Sequence, residues 1–126
     1  MEYITVICDL KGSKRLKDRD AIQHRLIQAL RETNGRFGRI LAAPFIITVG
    51  DEWQGLLVYP CDYRMVLDFF HERLEGLDFY TGLGVGEVTV HDRELTVNQL
   101  DGPAFHKARA AVNLAKRKNF SLVYIH

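Results

Sequence analysis

A chain of 126 residues, 47% hydrophobic and 26% charged, has enough apolar material for one core and too much to remain disordered. Its 17 basic against 16 acidic residues leave a formal charge of +1, which excludes a global pull toward nucleic acid or an anionic membrane. No apolar run approaches the roughly 18 residues of a membrane span. Two cysteines outside any Cys-x-x-Cys pattern, without a leader-like segment, lead us to expect reduced thiols in a cytoplasmic protein.

Residues 3–10 are β-branched and aromatic and predict a strand buried on both faces. The polar stretch that follows predicts a loop, with Asp18 or Asp20 as N-cap of the next helix. Ile22, Leu26, Ala29 and Leu30 recur at helical spacing, and Asn34 with Gly35 is placed to end that helix. Strands are expected over 44–49 and 53–59, either side of the hairpin signal Gly50-Asp51-Glu52. A second helix is expected over 62–74, with Val66, Phe69, Phe70 and Leu74 on one face.

Residues 78–90 predict a further buried strand. Its Gly82, Gly84 and Gly86 strip side chains from one face, so that another backbone or a ligand can approach. After a connection come a helix over 103–118, with Pro103 at its start, and a last strand over 121–125. The order β-α-β-β-α-β-α-β opens with the ferredoxin-like pattern, so the expectation is a single α+β domain over 1–126, extended by a helix and a strand.

Asp9 ends an apolar strand, where a carboxylate must be solvated, hydrogen-bonded or metal-bound. The ferredoxin-like order brings that strand end toward the tip of the Gly50-Asp51-Glu52 hairpin. Converging Asp9 and Asp51 would offer Mg²⁺ two hard oxygen ligands, with phosphates and water completing the octahedron, or would hold a metal pair. The loop Lys11, Gly12, Ser13, Lys14 and Arg15 would present N–H groups and positive charge to those phosphates. On the late helix, His106, Arg109, Asn113 and Arg117 share a face, and an Arg/Asn face suits a phosphoryl-transfer transition state. The plain alternative is that Asp51 serves the turn, Asp9 pairs with Lys11 or Lys14, and the helix row is simply solvated.

Four ordered stretches resemble the bacterial SatD family: Cys8 to Arg15 with Asp18-Arg19, Gly50 to Gln54, Gly82 to Glu87, and Asp101 to Phe105 leading to Ala108-Arg109. That family usually has Phe where Trp53 stands, and its members are often longer, with a C-terminal segment that is a candidate DNA-binding element. More distantly, the landmarks are similar to class III nucleotidyl cyclases and GGDEF diguanylate cyclases, which implies a palm-like fold. By that resemblance Asp9 and Asp51 are metal ligands for Mg²⁺ or Mn²⁺, with Glu52 a third. Cyclases carry an Asn and an Arg four apart on the late helix. One register sets Arg109 at the Arg with Phe105 at the Asn; the other uses Asn113 and Arg117. The resemblance further implies a nucleotide ligand and a homodimer. The rival expectation is a non-catalytic regulatory or DNA-associated module; the near-neutral charge argues mildly against DNA contact.

Overall fold

In a computed structural model of the chain, residues 1–12, 17–89 and 100–126 are described. They form β1 (Glu2–Leu10), α1 (Arg19–Arg36), β2 (Leu41–Val49), β3 (Glu52–Val58), α2 (Tyr63–Arg73), β4 (Phe79–Glu87), α3 (Pro103–Lys118) and β5 (Leu122–Ile125). The strands make one sheet in the order β2-β3-β1-β4-β5, in which β1 runs antiparallel to both β3 and β4. The first six elements are the ferredoxin-like unit, and β5 joins its open edge parallel to β4.

β1 is buried on both faces because a helical layer covers each side of the sheet. Its Ile4, Val6, Cys8 and Leu10 enter the main core with Leu26, Ala29 and Leu30 of α1 and Val66, Leu67, Phe69 and Phe70 of α2. An aromatic cluster fills the middle of that layer. Trp53 lies 5.9 Å from Phe70 and 5.2 Å from Phe79 between ring centroids, and Phe45 lies 5.0 Å from Phe70. Trp53 is fully buried, and its indole N–H has no hydrogen-bond partner among the described residues. On the other face Ile7 packs on Ala108 and Val112 of α3.

The glycines of β4 set how close α3 comes. A Cβ on Gly82 would sit 2.7 Å from the Ala108 carbonyl oxygen and 2.8 Å from Val112 Cα; one on Gly84 would sit 2.8 Å from the Lys107 carbonyl carbon. The helix answers with Ala104, Ala108, Ala111 and Ala115, all fully buried. The backbone that the glycine ribbon admits is therefore α3.

Two local expectations are corrected. Asn34 and Gly35 do not end α1, which continues to Arg36 and closes with the Phe37 N–H donated to the Thr33 carbonyl at 2.9 Å. The Asn34 amide is used elsewhere. It accepts the Phe45 N–H at 2.7 Å and donates to the Phe45 carbonyl at 3.0 Å, where the β2–β3 register shifts between Ala43 and Ile46. β2 also begins at Leu41, three residues before the expected start, and runs through Pro44 because it is an edge strand. Asp18 is the N-cap of α1, in the left-handed region at φ 57°, without a side-chain cap bond. The connection before α3 and residue 90 lie outside the described residues.

The two glycine settings separate in a stability measurement. Gly82→Ala drives a methyl into α3 backbone and should cost about 1–3 kcal/mol in urea unfolding. Gly35→Ala, inside α1 with open space around it, should add about 0.5–1 kcal/mol. Equal effects at the two positions would show that contact with α3 does not govern Gly82.

Candidate functional site

The chemistry-bearing residues gather where β1 leaves the sheet beside the β2–β3 hairpin. The antiparallel ladder makes Asp9 and Glu52 direct partners, one step beyond Cys8 and Trp53. Strand alternation then sends Cys8 and Trp53 into the main core and both carboxylates to the face under α3. Side chains so paired start about 4.5–5.5 Å apart at Cβ, and like charges there repel. The pair survives because α3 supplies two cations.

Arg109 grips Glu52 with both arms, Nη1 to Oε1 at 2.6 Å and Nη2 to Oε2 at 2.9 Å. The Thr48 hydroxyl donates to Oε2 at 3.0 Å. Lys116 pairs with Asp9. Arg109 and Lys116 are seven residues apart, two helical turns, so one face of α3 carries both. Glu52 is 8% exposed and Asp9 19%, whereas Arg109 and Lys116 keep 44% and 40% of their side-chain surface in water. Burial pushes the Glu52 carboxyl up, but the Arg109 guanidinium, the Thr48 hydroxyl and the Lys116 charge outweigh it and hold the group below the usual carboxylate range. The bond to Glu52 in turn raises Arg109, assisted by the charge of Asp9.

Beneath the acids, burial pushes the Cys8 thiol up to about 12; its contact with Thr81 opposes the rise and the charges of Asp9 and Glu52 add to it. Cys8 is a packing group and no nucleophile. Asp51 occupies the turn itself, after Gly50 at φ 55°. Its carbonyl accepts the Leu10 N–H at 3.2 Å, while its carboxylate meets Arg19 Nη2 at 3.1 Å, at the start of α1. Main chain from Asp51 thus lies next to Asp9, but the carboxylate aligned with Asp9 across the ladder belongs to Glu52.

Beyond Asp9, the Lys11 N–H donates to the Asp78 carbonyl at 2.8 Å and the Lys11 ammonium sits 4.7 Å from the Tyr80 ring centroid. Gly12 takes φ 60°. Ser13, Lys14 and Arg15 lie outside the described residues. Of the row expected on α3, Arg109 reaches the acid pair, and Asn113 and Arg117 are exposed. Lys116 was not singled out from the sequence. Its signal is the seven-residue spacing from Arg109, which is close to two helical turns and sets both residues on one face.

Two carboxylates are the donor set for a divalent ion; the described residues hold no group of three or more His, Cys, Asp or Glu that could hold a metal. Such a pair fits Mg²⁺, which takes one or two carboxylates and draws the rest of its octahedron from phosphates and water. No described helix is long and apolar enough to cross a membrane.

Comparison with known proteins bears on the family and the fold. The sequence pattern of the SatD family matches residues 3–122. No curated protein sequence matches the chain. In fold it is similar to the diguanylate cyclase SiaD of Pseudomonas aeruginosa, solved with its activator SiaC, at 16% identity and a TM-score of 0.65. That match covers 98% of this chain and 50% of SiaD, so the chain spans half the length of that relative. A bacterial light-regulated adenylyl cyclase aligns at 16% identity and a TM-score of 0.67, over 98% of this chain and 74% of its own. The guanylate cyclase domain of RhGC from Catenaria anguillulae, solved with GTP, aligns at 16% identity and a TM-score of 0.58, over 89% of this chain and 72% of its own. At these identities the likeness is one of fold, and the fold is that of nucleotide cyclases.

The lowered Glu52 carboxyl ties stability to pH with a definite sign. Its contribution is complete above the ordinary value of 4.5 and is lost as pH falls through the lower folded value. Urea unfolding from about pH 6 downward should therefore show wild type and Glu52→Gln running parallel above 4.5, with wild type falling more steeply below it. Parallel curves throughout would remove the ion pair from the folding balance.

Proposed function

The chain belongs to the SatD family, and from that footing we propose that its domain binds a nucleoside triphosphate together with Mg²⁺ or Mn²⁺ where β1 meets the hairpin. The observation that carries this reading is the Asp9–Glu52 pair, set side by side at a strand end and faced by Arg109 and Lys116. Asp9 and Glu52 would hold the cation, with Asp51 beside them at the turn. The cation would supply charge neutralisation and Lewis acidity at the phosphates. Lys11 and Gly12 would serve the phosphates.

From the opposite side Arg109 is placed to meet developing phosphoryl charge, with Asn113 and Arg117 further along the same helix. The reaction class consistent with these roles is phosphoryl or nucleotidyl transfer. Acids and cations come from a single chain, so the homodimer that the cyclase resemblance implies would add groups to the site from outside it. A regulatory domain that binds the same nucleotide without turnover uses the same residues. It is favoured by one observation: both acids are already neutralised within the fold.

Thermal unfolding with ATP, GTP, CTP or UTP plus Mg²⁺ or Mn²⁺, paired with product analysis, tests binding and turnover separately. One nucleotide at a hundredfold excess over its Kd should stabilise the protein by about 2.7 kcal/mol. Asp9→Asn or Glu52→Gln should abolish that gain, and Asp51→Asn should reduce it. A gain that survives both Asp9→Asn and Glu52→Gln, or no gain with any nucleotide, overturns the site. A salt-dependent shift of a DNA fragment in place of nucleotide binding would favour the DNA-associated alternative.

A further inference from the structure

The charge at the acid pair is balanced before any ligand arrives. Two carboxylates on neighbouring strands meet two cations from one helix face, and the sum is zero. Retreat of the helix that carries the cations would uncover Ala104, Ala108, Ala111 and Ala115, which are fully buried against the glycines of β4. A divalent ion entering alone would face Arg109 and Lys116 at contact distance and leave the cluster with a surplus of positive charge. Repulsion of that kind is strong where the acids are 8% and 19% exposed and water screens poorly.

The side chains themselves are free to turn. Arg109 and Lys116 are 44% and 40% exposed on long stems, so both can swing outward while α3 stays seated. Once turned away from the acids they are free to pair with an anion. Lys116 offers Asp9 a compact point charge, whereas Arg109 holds Glu52 through a two-bond fork, so Lys116 is the easier of the two to displace.

We infer that Arg109 and Lys116 are exchangeable counter-ions: the Asp9–Glu52 pair takes a divalent cation together with a polyphosphate that accepts these two side chains, and resists the cation alone. This rests on the metal-nucleotide reading of the site and adds to it an obligatory coupling between its two ligands. By linkage the coupling is reciprocal, so the cation raises polyphosphate affinity by the same factor that polyphosphate raises cation affinity.

The test is a Mn²⁺ titration of the full chain, followed by the electron paramagnetic resonance of free Mn²⁺, on wild type, Lys116→Met, Lys116→Arg, and Asp9→Asn combined with Lys116→Met. Circular dichroism confirms that each variant is folded. Lys116→Met should bind Mn²⁺ alone about tenfold more tightly than wild type, Lys116→Arg should stay near wild type, and the double variant should lose the gain. In parallel, fluorescence anisotropy of mant-ATP and mant-GTP should show an affinity that rises about tenfold or more with Mn²⁺ in wild type and by clearly less in Lys116→Met. If wild type already binds Mn²⁺ alone as tightly as Lys116→Met, the exchange is wrong while the metal site stands. If Mn²⁺ binds to no variant, with or without nucleotide, the metal-nucleotide reading fails and the exchange falls with it.

Discussion

The seat of α3 on the glycines of β4 is the constraint from which the site follows. Helix and strand meet there backbone to backbone, with alanines on one side and no side chains on the other. Such contact permits almost no sliding, since a shift of a fraction of an ångström meets main-chain atoms instead of flexible side-chain ends. A helix held this firmly delivers Arg109 and Lys116 to fixed addresses. The ladder between β1 and β3 fixes the other half of the encounter, because the register that pairs Cys8 with Trp53 also pairs Asp9 with Glu52. Two rigid frames, one of packing and one of hydrogen bonds, meet at four charged groups.

Those four groups form a balance more than a scaffold. A buried carboxylate pair is costly on its own, and replacing ion pairs of this sort by apolar residues is often neutral or favourable for stability. Their presence is better explained by what they can exchange than by what they hold up. The main core does not need them: Trp53, Phe70, Phe79 and the aliphatic side chains of β1, α1 and α2 fill the opposite layer without contact with α3's charged face. The aromatic core and the four charged groups thus lie on opposite faces of one sheet.

Much of the architecture was legible in the sequence because its punctuation is local. Pro103 opens α3 at the expected residue, and alternate glycines mark the strand that a backbone would approach. The hairpin at Gly50 stands where its turn residues predict it. What escaped was settled at longer range. Asn34 reads as a helix stop, yet its amide is claimed by Phe45, eleven residues away, and the helix runs on. Neighbouring acids at 51 and 52 cannot be told apart by composition, and a single ladder step decides which lines up with Asp9. Lys116 stands among three consecutive basic residues, Lys116 to Lys118, and its seven-residue spacing from Arg109 marks it only once Arg109 is known to face the acids.

Trp53 adds an optical dimension to this arrangement. It is the single tryptophan of the chain, sealed in the apolar layer directly after Glu52 and packed edge-on against Phe70. Its indole N–H, without a hydrogen-bond partner among the described residues, lies in an apolar layer. The molecule therefore carries its own chromophore one peptide bond from the acid that Arg109 grips. Emission from a dry indole lies to the blue, and water reaching that strand end would move it to the red. Any parting of β3 from its neighbours would become visible there without a label.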